Sequence, residues 1–428
     1  MKLKRVIRHL LLLLLCLPAC AGRTVQPSGT QAQQPQRLVV RAARMLDVER
    51  GQIVRGPVTV VVEGGRITAV GANVAAPIGA QVIELGDATL LPGLIDAHTH
   101  ITYHFDANGH FGISGDPNTD VTLRYAADNA RATLLAGYTT LRNLGAGALV
   151  DIRLRDAIAR GETIGPRLLV SGAPLTPDML YDAPDESARL ADVRDFVRAR
   201  VREGVDVIKL FEGVDARGQA LLSEGEVRAA VEEAARAGLR VAVHAHEAAA
   251  VKAAVRGGCA SVEHGTYLDK EAIRLLVEHH TALVPTLYLP THYLAHKSQF
   301  AFDDATWDFF ERLQAHNLDN TRQAHAAGAW IVAGSDAVAG LHGQNARELE
   351  WLVKAGLTST EAIRAATLDA ARLLGIEGQT GAIKAGLAAD LIAVAGDPTR
   401  DITTLQQVRF VMKGGQVFKD ETVKPQPR

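Results

Sequence analysis

The stretch that decides the fold is LLPGLIDAHTH, residues 90–100. It is an apolar, strand-like run that ends in two histidines separated by one residue. Because alternate side chains of a strand point to the same face, His98 and His100 project together. Neutral imidazole is the commonest metal-ligating side chain, so the pair is suited to grip one metal ion. Taken alone, the pair is equally compatible with two surface histidines.

Seven further strand candidates follow this run, and helical stretches separate several of them. The strand candidates are residues 139–143, 167–171, 205–211, 240–246, 261–264, 282–285 and 330–335. Residues 223–237 and 247–256 are Ala-rich, with apolar positions at helical spacing. Eight strands with helical crossovers over about 250 residues match an α/β fold of the (β/α)8 TIM barrel type. An open, doubly wound sheet has the same periodicity.

Residues of metal-binding type recur at the ends of these strands. They are Lys209, His244-Ala245-His246, Glu263-His264-Gly265 and Gly334-Ser335-Asp336. Lys209 lies in a mostly apolar strand, and burying an unpaired ammonium is costly, so it must be paired, deprotonated or modified. A single strand-end aspartate is usually a helix cap, and a lone histidine is usually just hydrogen-bonded. Five such ends in order favour a barrel, which gathers them at its C-terminal face.

Short alternating strands with tight turns occupy both ends of the chain. They are residues 38–40, 58–62 and 66–70 near the start, and 390–394, 408–412 and 416–418 near the end. We predict one small β-sandwich domain formed by both chain ends, from residues 37–89 and from residues 379–428, which include the tail. The barrel then spans residues 90–378. Two unrelated β-appendages are the alternative.

Residues 1–20 have the layout of an export signal peptide. Basic residues precede a short apolar run, 10–17, which is too short to span a bilayer as a helix. Residues 17–20 resemble a bacterial lipobox, which would place a lipid anchor to a membrane on Cys20. Pro18 is unusual in a lipobox, so simple secretion stays open. We expect an exported protein, either a periplasmic or outer-membrane lipoprotein or a secreted protein, with residues 21–36 as a flexible tether.

Composition and charge indicate the domain size and argue against a nucleic acid partner and an internal disulfide. The chain has 428 residues, 47% of them hydrophobic, which suffices for one large barrel with a companion domain. A net charge of −2 gives no electrostatic reason to expect a nucleic acid partner. Of its three cysteines, Cys16 and Cys20 belong to the signal. Only Cys259 remains in the body, so no internal disulfide is expected.

Taken together, these motifs closely resemble the amidohydrolase superfamily of metal-dependent hydrolases. The matching stretches are residues 92–100, 207–209, 244–246, 261–265, 333–336, 362–367 and 381–390. Within the superfamily the chain looks most like the Xaa-Pro dipeptidase and imidazolonepropionase-like branch. That branch includes carboxypeptidase-like enzymes and ochratoxin A amidohydrolases. Relatives there often carry a histidine in the loop after strand three, whereas residues 173–181 have none.

The resemblance implies two zinc ions per chain. One would be held by His98, His100 and Asp336, and the other by His244 and His264, with N6-carboxylated Lys209 bridging them. Carboxylation would turn a buried cation into an anionic oxygen ligand. Two adjacent dications would lower the pKa of a bridging water. Asp336 would then serve as catalytic general base and general acid.

Substrate contacts are predicted less directly. His246 shares the strand face of His244, which favours either contact with substrate or a supporting hydrogen bond. Tyr288, His292 and Tyr293 follow strand seven and are expected to border the pocket. The expected partner is a small-molecule or dipeptide-like substrate, and relatives commonly form homo-oligomers.

Three functions are compatible with the sequence. The first is a binuclear zinc amidohydrolase that cleaves N-acyl amino acids or dipeptide-like substrates, with ochratoxin A, hydrolysed to ochratoxin alpha and L-phenylalanine, as one candidate. The second is a mononuclear deaminase or imidazolonepropionase-type cyclic amide hydrolase, which the H-x-x-E spacing of His244 and Glu247 suits. Lys209 argues against it, because a one-metal site has no use for that lysine. The third is a surface-anchored binding protein on a former enzyme scaffold.

Overall fold

The computed structural model describes residues 37–106, 108–109, 111–112, 119–300 and 302–422. The predictions of a signal peptide, a lipid anchor and a tether fall on residues 1–36 and lie outside the described residues. Among the helices of the described part, none is long and apolar enough to cross a membrane.

Strands from both chain ends and from the middle of the chain build the sheets. The strands are β1 (Arg37–Asp47), β2 (Gln52–Glu63), β3 (Arg66–Gly71), β4 (Gln81–Glu84), β5 (Ala88–Pro92), β6 (Leu94–Thr99), β7 (His104–Phe105), β8 (Phe111–Gly112), β9 (Tyr138–Asn143), β10 (Arg167–Val170), β11 (Val207–Phe211), β12 (Arg240–Glu247), β13 (Ser261–Tyr267), β14 (Ala282–Val284), β15 (Leu391–Ala395), β16 (Phe410–Lys413) and β17 (Gln416–Asp420).

Helices separate most of the middle strands. They are α1 (Thr119–Leu135), α2 (Val150–Ala159), α3 (Glu186–Glu203), α4 (Glu224–Arg236), α5 (Ala248–Arg256), α6 (Lys270–Glu278), α7 (Leu289–Ala295), α8 (Asp304–Ala326), α9 (Arg347–Lys354), α10 (Ser359–Ala365) and α11 (Leu368–Leu374). Local sequence sets several of their starts: Ser223 and Glu226 form a capping box at α4, as do Thr358 and Glu361 at α10. The two helices predicted at residues 223–237 and 247–256 are confirmed as α4 and α5.

One mixed sheet combines the two ends of the chain, in the order β17-β16-β15-β5-β1-β2-β3, with β4 paired to β1. The two ends meet where β15 pairs antiparallel with β5. Alternate residues serve different cores: Leu90 and Leu391 join a cluster within this sheet, while Leu91 and Ile392 join the main core. The sandwich form and the domain boundaries stay predictions.

Parallel pairing dominates the middle of the chain. One sheet has the order β10-β9-β6 and the other the order β11-β12-β13-β14. Isolated parallel bridges join Leu175 to Leu210, Leu283 to Ile331, and Thr99 to Ala337. The α/β class with parallel strands is therefore confirmed, and barrel closure is taken up below.

The strand predictions need two corrections. Residues 90–100 form two strands rather than one, because the chain passes from the mixed sheet to the parallel sheet at Gly93, where a Cβ would lie 2.2 Å from Thr139 Oγ1. Residues 330–335 form no regular strand beyond the bridge at Ile331, although they are hydrogen-bonded on both sides: the N–H of Val332 donates to the Leu283 carbonyl of β14, and the N–H of Ala97 in β6 donates to the Ala333 carbonyl. There the backbone N–H of Ser335 donates to the Asp96 carboxylate (2.9 Å) instead of to a neighbouring strand.

Candidate active site

The polar strand-end residues converge on a pocket of about 450 Å³. Its polar lining includes five of the residues singled out in the sequence: His100, His244, His246, His264 and Asp336. They come from the ends of separate parallel strands and from the segment after Ile331, as the strand-end argument predicts. His98 and Lys209 lie beneath them and are almost fully buried.

His98, His100 and Asp336 form a first group able to hold a metal ion, with ligand atoms within 4.8 Å of one another. Asp336 Oδ1 lies 3.4 Å from His98 Nε2 and 3.1 Å from His100 Nε2. Burial lowers the pKa of His98, although the nearby Asp336 charge works in the opposite direction. The ring is therefore held neutral, which is the form that binds metal.

Asp96 fixes the two chain segments that carry this group. Its carboxylate accepts the backbone N–H of His98 (3.1 Å), the backbone N–H and hydroxyl of Ser335 (2.9 and 2.5 Å) and Nδ2 of Asn345 (2.8 Å). Burial raises the pKa of Asp96 to about 6, and these hydrogen bonds limit the rise. One buried carboxylate thus holds His98 and Asp336 in register, since Ser335 immediately precedes Asp336.

His244, His246 and His264 form a second group of the same kind, with ligand atoms within 4.8 Å of one another. Burial lowers the pKa of His244 and His264 well below the ordinary value. Hydroxyls orient two of the rings, because Nδ1 of His264 lies 2.7 Å from Thr286 Oγ1 and Nδ1 of His246 lies 2.8 Å from Thr266 Oγ1. The opposite nitrogen, Nε2, of each ring is left for another partner.

Backbone strain concentrates at this site. His264, Thr286 and Asp336 adopt φ values of 75°, 51° and 51°, which side chains with a Cβ rarely take. Such a conformation costs about 1–3 kcal/mol and persists only where the surroundings enforce it. Its presence at three functional-type residues indicates that side-chain placement has taken precedence over local backbone energy.

Lys209 is a buried polar group near the pocket whose hydrogen bonding is unsatisfied. It is 1% exposed, and its Nζ has no hydrogen-bond partner among the described residues. Burial lowers its pKa to about 8, although the charges of Glu263 and Asp336 oppose the shift. Burying an amine without a hydrogen-bond partner is expensive, so a group that satisfies Nζ would stabilise the site.

Glu263 and Arg142 form a buried ion pair behind His98. Arg142 Nη2 donates to Glu263 Oε1 at 2.9 Å, while Glu263 Oε2 lies 2.8 Å from His98 Nδ1. Burial would raise the pKa of Glu263, but Arg142 and His98 lower it to about 2. The carboxylate fixes the ring so that Nε2 of His98 faces Asp336, an arrangement typical of metal-ligating histidines.

Some of the remaining predicted residues line the pocket and others do not. His246 lies in the pocket wall beside His244 and His264, with ring centroids 4.7 Å from each, so it belongs to the cluster. Tyr293 lines the pocket, whereas Tyr288 and His292 are absent from the described lining. Glu247, required by the deaminase hypothesis, occupies the N-cap position of α5 and is also absent from that lining.

Sequence reasoning assigned no role to several residues that build the site. Glu263 lies in the strand-end motif Glu263-His264-Gly265, and Arg142 is a charged residue within a predicted strand, which is a usable signal of a buried pair. Thr266, near the end of β13, and Thr286, after β14, carry no signal, because hydroxyls are common at strand ends and in loops. Asp96 lies two residues before His98 and therefore on the same strand face. Of these supporting residues, it is the one that sequence spacing places beside the site.

The family model named "Amidohydrolase family" matches residues 89–418. Ochratoxinase of Aspergillus niger is 30% identical over 380 residues, which cover 78% of this chain and 77% of that protein. The crystal structure of a Xaa-Pro dipeptidase with bound methionine in the active site superposes with a TM-score of 0.81 at 32% identity, covering 90% of this chain and 100% of that chain. Imidazolonepropionase of Mycolicibacterium smegmatis is 28% identical over 246 residues, 52% of this chain and 60% of that protein.

Proposed function

Because this chain belongs to the amidohydrolase family, we propose that it is a binuclear metal hydrolase that cleaves the amide bond between an acyl group and an amino acid. Membership confirms the family and the hydrolase class predicted from the motifs. The observation that carries the binuclear proposal is the buried Nζ of Lys209, which has no hydrogen-bond partner in the described part of the chain and lies close to two groups of ligand-type residues. An anionic, carboxylated Lys209 bridging two zinc ions would remove that cost.

The residues fit such a metal pair. His98, His100 and Asp336 would hold one ion, and His244 and His264 the other. Their rings are buried or half-buried, and acceptors on Nδ1 orient His98 and His264. When bound, the metals would polarise the substrate carbonyl and lower the pKa of water.

Asp336 performs the proton transfers in this proposal. Water adds to the carbonyl carbon, and a carboxylate oxygen of Asp336 accepts its proton. The same proton passes to the departing nitrogen as the carbon–nitrogen bond breaks, which releases a carboxylic acid and an amine. Asp96 and Glu263 serve as positioning residues, because they fix the backbone of Ser335 and the ring of His98.

The relatives' names support the choice of bond and suggest substrates. One is an ochratoxinase and another a Xaa-Pro dipeptidase. We therefore propose N-acyl amino acids and dipeptide-like compounds as the substrate class. Ochratoxin A, which would be split into ochratoxin alpha and L-phenylalanine, is a member of that class.

Similarity to imidazolonepropionase supports a second candidate, hydrolysis of a cyclic amide or deamination at one metal ion. Against it stand Glu247, which is absent from the described pocket lining, and Lys209, which a one-metal site leaves buried without a partner. About one zinc per chain, with full activity in Lys209→Ala, would establish this alternative.

Further proposals concern the setting of the site. The bridges at Leu283, Thr99 and Leu175 support a closed (β/α)8 barrel. The mixed sheet that joins both chain ends supports a shared β-domain, which we propose is a β-sandwich. We also propose export and lipidation of Cys20, tested by fractionating cells that express the full chain or Cys20→Ser.

We propose in addition that the chain assembles into a homo-oligomer, which is tested by light scattering.

The experiment that tests the function is an amine-release assay on the zinc-loaded full chain. The panel contains ochratoxin A, N-acyl amino acids, Xaa-Pro dipeptides and cyclic amides. Release from N-acyl or dipeptide members, reduced by about 10²–10⁴-fold in Asp336→Asn, is the expected result. No amine release from any acyclic amide would refute the assignment.

A further inference from the structure

Aromatic rings form much of the pocket above the histidines. Aromatic residues make up only 5% of the chain, yet five of its ten phenylalanines line this pocket. We call the aromatic wall the set Phe111, Phe211, Tyr293, Phe302, Phe309 and Phe310. They come from β8, β11, α7, the segment before α8, and α8 itself, so no single sequence run explains their convergence.

The wall begins directly at the ligand-type histidines. The ring of Phe211 lies 4.7 Å from that of His244, and the ring of Phe309 lies 5.8 Å from that of His246. Farther along the wall, Phe310 lies 4.6 Å from Tyr293. A substrate whose scissile bond reaches the histidines must therefore have its neighbouring groups against these rings.

The chemistry of the wall selects an apolar partner. Phe211, Phe309 and Phe310 are only half-buried, so their ring surface stays available inside the pocket. The described lining contains no lysine or arginine, and Asp336 is its sole carboxylate. A volume of about 450 Å³ falls in the range of sites for drug-sized ligands. Covering exposed aromatic surface with another ring is favourable, whereas a charged group placed against these rings, away from the histidines, would be desolvated without a counter-ion.

We propose that the aromatic wall binds an aromatic ring carried next to the scissile amide, which makes this enzyme selective for N-acyl amino acids with an aryl acyl group or an aromatic side chain. The inference rests on the proposed function, because it concerns the same pocket. It goes further by naming the group that is recognised and the residues that recognise it.

Phe309 offers the cleanest test of the wall. It lies on α8 and is half-buried, and its ring is nearly perpendicular to that of His246 at a centroid distance of 5.8 Å. Phe302, by contrast, packs among Phe300 and Trp307, so changing it disturbs the surrounding cluster. Phe211→Leu provides a second variant on a different element. Phe196→Ala is the matched control, because Phe196 lies on α3 beneath Arg200 and outside the described pocket lining.

The experiment compares kcat/KM for N-acetyl-L-alanine, N-acetyl-L-phenylalanine and N-benzoyl-L-alanine on the zinc-loaded full chain. We expect at least one ring-bearing amide to exceed N-acetyl-L-alanine by about tenfold or more. Phe309→Ala and Phe211→Leu should lower that ratio, and Phe196→Ala should leave it unchanged. Calorimetry with L-phenylalanine and benzoate against L-alanine and acetate measures the same preference without turnover.

The two readouts separate failure of the wall from failure of the reaction. If no amide is cleaved, the proposed function fails, while tighter binding of ring-bearing compounds that depends on Phe309 or Phe211 still supports the wall. Equal cleavage and equal binding of ring-bearing and alanine compounds would overturn the inference. A ring preference that is unchanged in both wall variants would also overturn it.

Discussion

Replacing Glu263 by glutamine tests the buried network that orients His98. The side chains of Glu263 and Arg142 are 0% and 3% exposed and are paired at 2.9 Å. Glutamine has nearly the same shape but no charge, so it would leave the Arg142 guanidinium buried without a counter-ion. The change therefore probes the ion pair rather than the packing.

Two arguments give the magnitude of the effect. Removing one partner of a buried ion pair typically destabilises a protein by about 3–5 kcal/mol. Independently, Arg142 and His98 outweigh burial and lower the pKa of Glu263 from 4.5 to about 2, a gap worth about 3 kcal/mol. A depressed carboxyl pKa stabilises the folded state above pH 4.5, and this contribution is lost as the pH falls through about 2.

Urea denaturation at pH 7, with equal zinc concentrations, measures the loss. We expect Glu263→Gln to lower the free energy of unfolding by about 3 kcal/mol and zinc affinity by about 10–100-fold. Glu162→Gln is the control, since its pair with Arg160 is more than half exposed on both sides and should matter little. A loss below about 1 kcal/mol in Glu263→Gln would refute the reasoning.

Two further substitutions test burial and close packing. Burial raises the pKa of Glu348 from 4.5 to about 8, so its stabilising contribution is complete below pH 4.5 and is lost as the pH rises through about 8. The stability of Glu348→Gln relative to wild type, measured by urea denaturation at pH 5 and pH 8, should therefore improve with pH. A constant difference between the two proteins would contradict this. Gly334→Ala would place a Cβ 2.4 Å from Val284 and 2.8 Å from His98, which should cost about 1–3 kcal/mol and reduce bound zinc. Gly147→Ala meets nothing within 4 Å, so equal melting temperatures and zinc contents for the two alanine variants would count against the packing argument.

Most residues proposed to hold metal could be predicted from the sequence, because each lies at the end of an apolar strand. The carboxyl ends of parallel strands meet at one edge of the sheet. A local pattern therefore implies a long-range contact between, for example, His98 and His264. The strand-end pattern also groups Lys209 with these residues, and the structure places it beneath them. The same pattern brings Asp336 to the cluster, although residues 330–335 are an irregular strand, because the Asp96 carboxylate takes the backbone N–H of Ser335.

The supporting residues were far harder to predict. Arg142 and Glu263 are 121 positions apart, and nothing local says that their strands place them in contact. The aromatic wall depends on where α8 and the short strand at Phe111 lie over the pocket, which strand and helix periodicity does not encode. Loop and helix placement is fixed by tertiary packing, so these contacts emerge only in the folded chain.

Metal content measured against Lys209 tests the central claim most directly. Purified full chain and Lys209→Ala, loaded with zinc and desalted, are analysed by inductively coupled plasma mass spectrometry. We expect about two zinc ions per chain in the wild type, one for each ligand group, and a clear loss in Lys209→Ala. One zinc ion or fewer in the wild type, or an unchanged zinc content without Lys209, would contradict the central claim.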